Sequence, residues 1–116
     1  GLVHLEGRTR SSTSNPYLSC TAYVSAGVDG IKKGLLPGEP NKENMYEKNI
    51  DDLRARSTGV LPESLEEALN CLEEDDIVLS GLGPLATDFV ELKRLDWLEY
   101  HRLVSQWEVD RYLTFF

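Results

Sequence analysis

The feature that most constrains the fold of this chain is one strand-like segment with no second strand to pair with. Residues 1–10 form an extended, half-apolar pattern, in which Leu2 and His4 are followed by Gly7 and Thr9. A strand must satisfy its backbone N–H and C=O groups with a partner, and no other segment has a strand-like pattern. The sequence therefore predicts a mostly α-helical chain with one N-terminal β-strand.

Local signals place a first helix after this segment. Ser14 or Asn15 can cap it, and Pro16 suits the first helical position, where its missing N–H is not needed. Gly34 suits the left-handed position that ends a helix. The apolar surface between these bounds is broad enough to predict burial on most sides; it comprises Tyr17, Leu18, Ala22, Val24, Val28 and Ile31.

Further helices are expected beyond a long surface loop at residues 37–62. Ser64 and Glu67 form a capping-box pattern that opens a second helix, which ends in the acidic run 73–76. A turn at 81–84 then precedes a helix of about five turns. Its apolar stripe comprises Leu85, Phe89, Leu92, Tyr100 and Val104, with Asp96 at the same spacing. A second capping box, Ser105 with Glu108, opens a short C-terminal helix.

The charge balance and the cysteines exclude several classes of protein. A net charge of −8 argues against a nucleic-acid surface or an anionic membrane as partner. No apolar run approaches the roughly 20 residues of a membrane span, and no signal peptide is visible, so we expect a cytoplasmic protein. Cys20 and Cys71 lie far apart with no C-x-x-C pair, and His4 and His101 are the only histidines, so we do not expect the four clustered ligands of a zinc site. We expect Cys20 and Cys71 to be buried free thiols, with one disulfide as the alternative.

The pair Glu6 and Arg8 allows two interpretations. On a strand both side chains point to the same face, because alternate residues do so. Glu6 would then suit Mg²⁺ or Mn²⁺ as a hard oxygen ligand, and Arg8 would bind a carboxylate or phosphoryl group. The alternative is a solvated ion pair. From spacing alone the ion pair is preferred.

Several other side chains have structural explanations. Tyr46 is an anchoring ring or a modification site, His101 is a surface residue, and Trp97 and Trp107 are core or interface aromatics. Large apolar groups also end the chain, where segments usually fray into water. We expect this tail to dock on its own helices or on another subunit; it comprises Val109, Tyr112, Leu113, Phe115 and Phe116.

Six stretches, taken together and in order, resemble the C-terminal part of bacterial-type glutamine synthetases. They are EGR (6–8), SNPYL (14–18), AGVDGIKKGLLPGEP (26–40), NMYE (44–47), LPESLEEALNCLEED (61–75) and VSQWEVDRYL (104–113). The resemblance implies an α+β parent, the glutamine synthetase catalytic domain, with a curved sheet carrying the site and helices behind it. It implies an ATP-dependent ligase of nitrogen metabolism that phosphorylates glutamate and then adds ammonia.

The resemblance also implies roles for individual residues. Glu6 matches the family's metal-ligand glutamate, which binds Mg²⁺ or Mn²⁺ beside ATP. Arg8 matches the arginine that binds the glutamate γ-carboxyl and its phosphorylated intermediate, a catalytic and substrate-binding role. His4 stands where the family usually has an arginine near the nucleotide phosphates. Tyr46 matches a tyrosine that some bacterial members adenylylate.

Departures from the family pattern point to an outlying branch. Gly7 replaces a usually bulkier residue, and TRSSTS at 9–14 replaces an acidic, proline-containing stretch. These differences suggest a ligase that joins glutamate to an amine other than ammonia.

Residues 1–116 are expected to be an incomplete, C-terminal part of the catalytic domain. The family's other metal carboxylates, its His-x-His segment, its N-terminal β-grasp domain and most of its sheet have no counterpart here. The family's site is shared between subunits of a double ring, and its C-terminal segment reaches the facing ring. We therefore expect the isolated chain to have no ligase activity and its apolar tail to serve a homo-oligomer. The alternatives are a stand-alone helical interaction module and a helical bundle without a function of its own.

Overall fold

The computed structural model describes residues 7, 9–40, 42–44, 47–49, 51 and 59–115, and this part of the chain is mainly helical. The helices are α1 (Pro16–Lys32), α2 (Leu65–Glu73), α3 (Asp76–Leu82), α4 (Leu85–Arg102) and α5 (Gln106–Tyr112), followed by a 3₁₀ turn at Leu113–Phe115. Most of the described residues between α1 and α2 lie in coil, turns and bends, in agreement with the predicted loop.

The predicted N-terminal strand is not supported. Thr9 and Arg10 form a bend, and no strand occurs among the described residues. Most of the predicted strand, residues 1–6 and 8, lies outside the described residues. The physical reason is the one that made the strand anomalous in the sequence: a strand requires a hydrogen-bonded neighbour, and the described residues supply none.

Both ends of α1 are confirmed. The Asn15 side chain accepts hydrogen bonds from the backbone N–H groups of Tyr17 and Leu18, at 2.9 and 3.3 Å. At the other end Gly34 takes a positive φ of 63°. The Gly34 N–H then binds the Ile31 carbonyl at 3.1 Å, and the Leu35 N–H binds the Gly30 carbonyl at 3.0 Å. This pair of bonds is the Schellman motif, which stops the helix by satisfying its last carbonyls.

The acidic run after α2 starts a helix as well as ending one. The Asp75 carboxylate accepts hydrogen bonds from the backbone N–H groups of Ile77 and Val78, both at 3.0 Å, and so caps α3. The prediction missed α3 because it took the run 73–76 only as a helix end. Gly83, with a φ of 60°, ends α3 inside the predicted turn.

The two predicted capping boxes differ in detail. At α5 both bonds of the box form between Ser105 and Glu108. The backbone N–H of Ser105, and then its hydroxyl, donate to the Glu108 carboxylate and hold the pKa of that carboxyl below its usual value. At α2 the Ser64 side chain accepts from the Glu67 N–H at 3.1 Å, as predicted. The Glu67 carboxylate, however, accepts from the Glu63 N–H at 2.8 Å, one residue earlier than a capping box requires.

The length of α4 is confirmed, but the predicted inward face is wrong. The helix has 18 residues, or about five turns. Its buried side chains are Ala86 and Val90, and the helix contacts both α2 and α3, whereas most of the predicted stripe is exposed. The exposed members are Leu85, Leu92, Asp96, Tyr100 and Val104. Apolar residues lie on more than one face of α4, and α2 and α3 cover only one of them.

Other burial predictions are also corrected. Helix α1 has no buried residue, and Tyr17 and Ile31 are each 82% exposed. Cys20 and Cys71 are free, as expected, but both are exposed. Trp107 is largely exposed and Trp97 is half-buried, while His101 is exposed as predicted.

The solvent-accessible surface of the chain is far larger than that of a compact folded monomer of the same mass. The chain exposes 10430 Å², whereas a compact monomer of 13.1 kDa exposes about 6,400 Å². Its radius of gyration is 18.6 Å, against about 13 Å for a compact chain of this length. The helices therefore present wide apolar faces that other described elements do not cover.

Helices α1 and α3 pack closely where Ser25 faces Gly81. A Cβ added at Gly81 would lie 1.9 Å from the Ser25 Oγ and 2.8 Å from its Cβ. Because the second atom belongs to the rigid part of the side chain, the two helices would have to separate. The absence of a side chain at position 81 thus permits this crossing.

We expect Gly81→Ala to destabilise the chain by roughly 1–3 kcal/mol, the range for overpacking. Gly27→Ala is the matched control, because Gly27 also lies in a helix and its Cβ would meet nothing within 4 Å. That change should stabilise by up to about 1 kcal/mol. Urea unfolding followed by circular dichroism compares the two. Equal stability of the two variants would contradict the proposed crossing, whereas recovery in Ser25→Gly/Gly81→Ala would support it.

Candidate functional site

The segment that precedes α1 is held against that helix by Tyr23. The Tyr23 hydroxyl forms a short hydrogen bond with the Thr9 Oγ1. The same phenol lies against Gly7, where an added Cβ would approach the Tyr23 hydroxyl oxygen to 2.9 Å and ring carbon Cζ to 3.1 Å. Gly7 and Thr9 are the two neighbours of Arg8, so α1 positions the backbone on both sides of that arginine.

The polar run 11–14 forms a self-bonded turn into α1. The Ser11 Oγ lies 2.8 Å from the Thr13 Oγ1 and accepts from the Thr13 N–H at 3.2 Å. The Ser14 hydroxyl donates to the Ser11 carbonyl at 2.6 Å. These local bonds satisfy the polar groups of the run, which then leads directly into the Asn15 cap.

The predicted site residues themselves lie outside the described residues. This applies to His4, Glu6, Arg8 and Tyr46. Their proposed roles are therefore not tested by this geometry, which shows only what holds their neighbours. Near Tyr46, the Asn44 side-chain amide donates to the Glu47 carboxylate at 2.7 Å, and Lys48 pairs with Glu43 at 3.0 Å.

A metal site cannot be assembled from the described residues. No group of three or more His, Cys, Asp or Glu side chains that could hold a metal occurs among them. In the same part of the chain, no helix is both long and apolar enough to cross a membrane.

A groove of 620 Å³ lies between α2, α3 and α4, and its walls are mainly apolar. At its rim the Arg94 guanidinium pairs with the Glu73 carboxylate and donates to the Asn70 side-chain oxygen at 2.8 Å. Arg94 and Glu73 are thus already paired with each other, and both remain partly exposed, so the ion pair contributes little to stability. The groove is explained by packing between these helices.

Sequence patterns did not predict the Tyr23 contact. Tyr23 stands 14 residues after Thr9, and no spacing rule for helices or turns links positions so far apart. The one available signal was Gly7 itself, since a glycine inside an extended pattern often marks a close approach of another group.

These features describe a helical chain with widely exposed apolar side chains, and its similarity to known proteins shows its family. A family model described as glutamine synthetase, catalytic domain, matches residues 2–112. The chain belongs to the glutamine synthetase catalytic-domain family. This confirms the family resemblance that the sequence motifs indicated.

Among individual relatives, the chain is similar to a glutamate–methylamine ligase of Methyloversatilis universalis, with 45% identity over 112 residues, covering 97% of this chain and 25% of the relative. It is also similar to a glutamine synthetase of Thermus thermophilus, with 37% identity over 110 residues, 94% of this chain and 25% of the relative. The chain thus spans about a quarter of the length of these relatives.

Solved structures agree with this assignment. A GmaS complex with ADP has a TM-score of 0.72 and 33% identity, covering 87% of this chain and 23% of that one. An apo GmaS structure without ligand has a TM-score of 0.70 and 32% identity, covering 86% of this chain and 23% of that one. The described helices therefore have the arrangement of a segment of this ligase family.

Proposed function

We propose that this chain is the C-terminal part of the catalytic domain of an ATP-dependent ligase that joins the γ-carboxyl group of glutamate to methylamine. The observation that carries the choice of amine is the 45% identity with a glutamate–methylamine ligase, against 37% with a glutamine synthetase. The resemblance to structures of GmaS, a glutamate–methylamine ligase, supports the same choice. The departures at Gly7 and at residues 9–14 agree with a branch distinct from the ammonia-using enzymes.

The proposed reaction has two steps. A γ-carboxylate oxygen of glutamate attacks the terminal phosphorus of ATP, the bond to ADP breaks, and an acyl phosphate forms. The amine nitrogen then attacks the acyl carbon, phosphate leaves, and the nitrogen loses a proton. Such phosphoryl transfer depends mainly on positioning and on stabilisation of negative charge.

In this proposal three residues near the start of the chain contribute to that stabilisation. The Arg8 guanidinium binds the γ-carboxylate and then the acyl phosphate, for which its planar fork of donors is suited. Glu6 would supply one oxygen ligand to Mg²⁺ or Mn²⁺, and His4 would contribute to binding of the nucleotide phosphates. The family generally uses ATP and a divalent metal, and the remaining metal ligands would come from outside residues 1–116.

A second candidate function is ligation of ammonia to glutamate, which gives glutamine. Its support is the set of glutamine synthetase relatives, among them a Halobacterium salinarum enzyme with 38% identity over 115 residues. In either case Tyr46 is a proposed modification site, as in the adenylylated members of the family.

The experiment compares amines as substrates for the full-length protein. Purified protein is given ATP, Mg²⁺ and glutamate with methylamine or ammonia, while ADP release and the amide product are measured by coupled assay and mass spectrometry. We expect kcat/KM to favour methylamine by at least about tenfold, the smallest discrimination usual for one extra carbon. A preference for ammonia would favour the second candidate, and no amide from either amine would refute the ligase proposal.

The isolated 116-residue chain serves as the matched control. Because it lacks the other proposed ligands and spans a quarter of its relatives, it should form no product. Formation of γ-glutamyl hydroxamate above background, with hydroxylamine as the amine, would contradict its assignment as an incomplete site.

A further inference from the structure

Tyr23, a side chain of α1, contacts both neighbours of Arg8. Its hydroxyl bonds to the Thr9 hydroxyl, and its ring lies where a side chain at position 7 would begin. We infer that Tyr23 is a positioning residue, which orients Arg8 for substrate by holding the backbone at Gly7 and Thr9. This inference rests on the proposed ligase function.

The contact between Tyr23 and Gly7 depends on the absence of a side chain at position 7. The Tyr23 phenol lies where the side chain of any other residue at position 7 would begin. A Cβ at Gly7 would meet the Tyr23 hydroxyl oxygen at 2.9 Å and ring carbon Cε1 at 3.2 Å. An added group at position 7 would therefore press the Tyr23 ring and the backbone of position 7 apart.

Tyr23 is a suitable anchor because it belongs to a helix that is capped at both ends. The helix begins at the Asn15 cap and ends in the Gly34 motif, so both ends are defined by hydrogen bonds. The turn at 11–14 joins the anchored segment to the same helix. Thr9 is thus held to α1 through the chain and through the Tyr23 hydroxyl. Two such attachments hold the described backbone on either side of position 8.

The first test removes the hydroxyl bond in the full-length ligase. Tyr23→Phe and Thr9→Val should each raise KM for glutamate or lower kcat about fivefold, the factor expected for loss of one hydrogen bond. KM for ATP and the melting temperature should stay unchanged. The double variant should be no worse than either single one, because both changes remove the same bond. Tyr100→Phe, an exposed tyrosine on α4, is the control and should match wild type.

The second test adds a methyl group at position 7 and then shortens the side chain at position 23. Gly7→Ala should lower activity by more than tenfold, roughly the effect of a small misplacement of a catalytic group. Adding Tyr23→Leu should recover much of that loss, because the shorter side chain leaves room for the new methyl group. A purely structural role would not produce recovery in glutamate kinetics at constant melting temperature.

The outcomes separate this inference from the proposed function. If wild type is active and Arg8→Lys is inactive, but Tyr23→Phe and Gly7→Ala behave like wild type, the positioning role is overturned and the ligase assignment stands. If full-length wild type forms no amide with any amine, both are overturned. Recovery by Tyr23→Leu together with non-additive Tyr23 and Thr9 effects would establish the positioning role.

Discussion

Arg8→Lys in the full-length ligase is expected to lower kcat for amide formation about 10³-fold, the lower end of the range for an arginine that stabilises phosphoryl transfer. Lysine keeps the positive charge but loses the planar pair of donors that binds two oxygens at once. The measurement is steady-state kinetics at saturating ATP and amine, with product identified by mass spectrometry. KM for glutamate should rise as well, because the γ-carboxyl group is bound by the same side chain.

Arg10→Lys is the matched control for this variant. Arg10 lies two residues further along the same segment and is exposed. It carries the same chemical change without a proposed contact to substrate, so its kinetics should remain close to those of wild type. If Arg8→Lys proved as active as Arg10→Lys, the role assigned to Arg8 would be wrong, whatever the amine specificity of the enzyme.

We propose that the full-length protein forms a double ring through its C-terminal tail, so deleting residues 113–116 is expected to separate or weaken this assembly. In the described structure α5 contacts only the 3₁₀ turn that follows it, and Leu113 and Phe115 are 74% and 77% exposed. Burying a large apolar side chain contributes about 1.5–3 kcal/mol. Loss of Leu113, Phe115 and Phe116 from every subunit would therefore remove several kcal/mol per tail.

Native mass spectrometry over a range of protein concentrations measures this effect. Replacing the same three residues by serine tests the apolar contribution at constant chain length and should reproduce the deletion. Glu99→Gln, a change at an exposed residue of α4, is the control and should leave the assembly intact. Unchanged double rings in both tail variants would show that the tail docks elsewhere.

The helix boundaries could be predicted because capping is local. The Asn15, Ser64 and Ser105 caps all bind backbone groups two or three residues away, so the sequence contains the whole interaction. The exception, α3, follows the same rule. Aspartate is a favourable N-cap residue, but Asp75 lies in an acidic run at the end of α2, and this run was interpreted only as a helix end.

The buried face of α4 could not be predicted in the same way. Leu85 and Leu92 are as apolar as Val90, and a helical period alone does not say which face meets a neighbour. The structure places Ala86 and Val90 against the rest of the fold because α2 and α3 approach from that side. Most of the predicted stripe remains exposed in the described structure.

The candidate site, like the fold, could be predicted only where neighbouring residues form a motif. The resemblance of EGR and SNPYL to a ligase family supplied the proposed roles of Glu6 and Arg8, and the family match confirms the relationship but not those roles. The sequence alone determined the helix ends and the family, because caps and motifs consist of neighbouring residues. Only the tertiary structure decided which apolar face is covered and that Tyr23 meets Gly7 and Thr9. Those contacts depend on the angle at which separate segments cross, a property that no local pattern encodes.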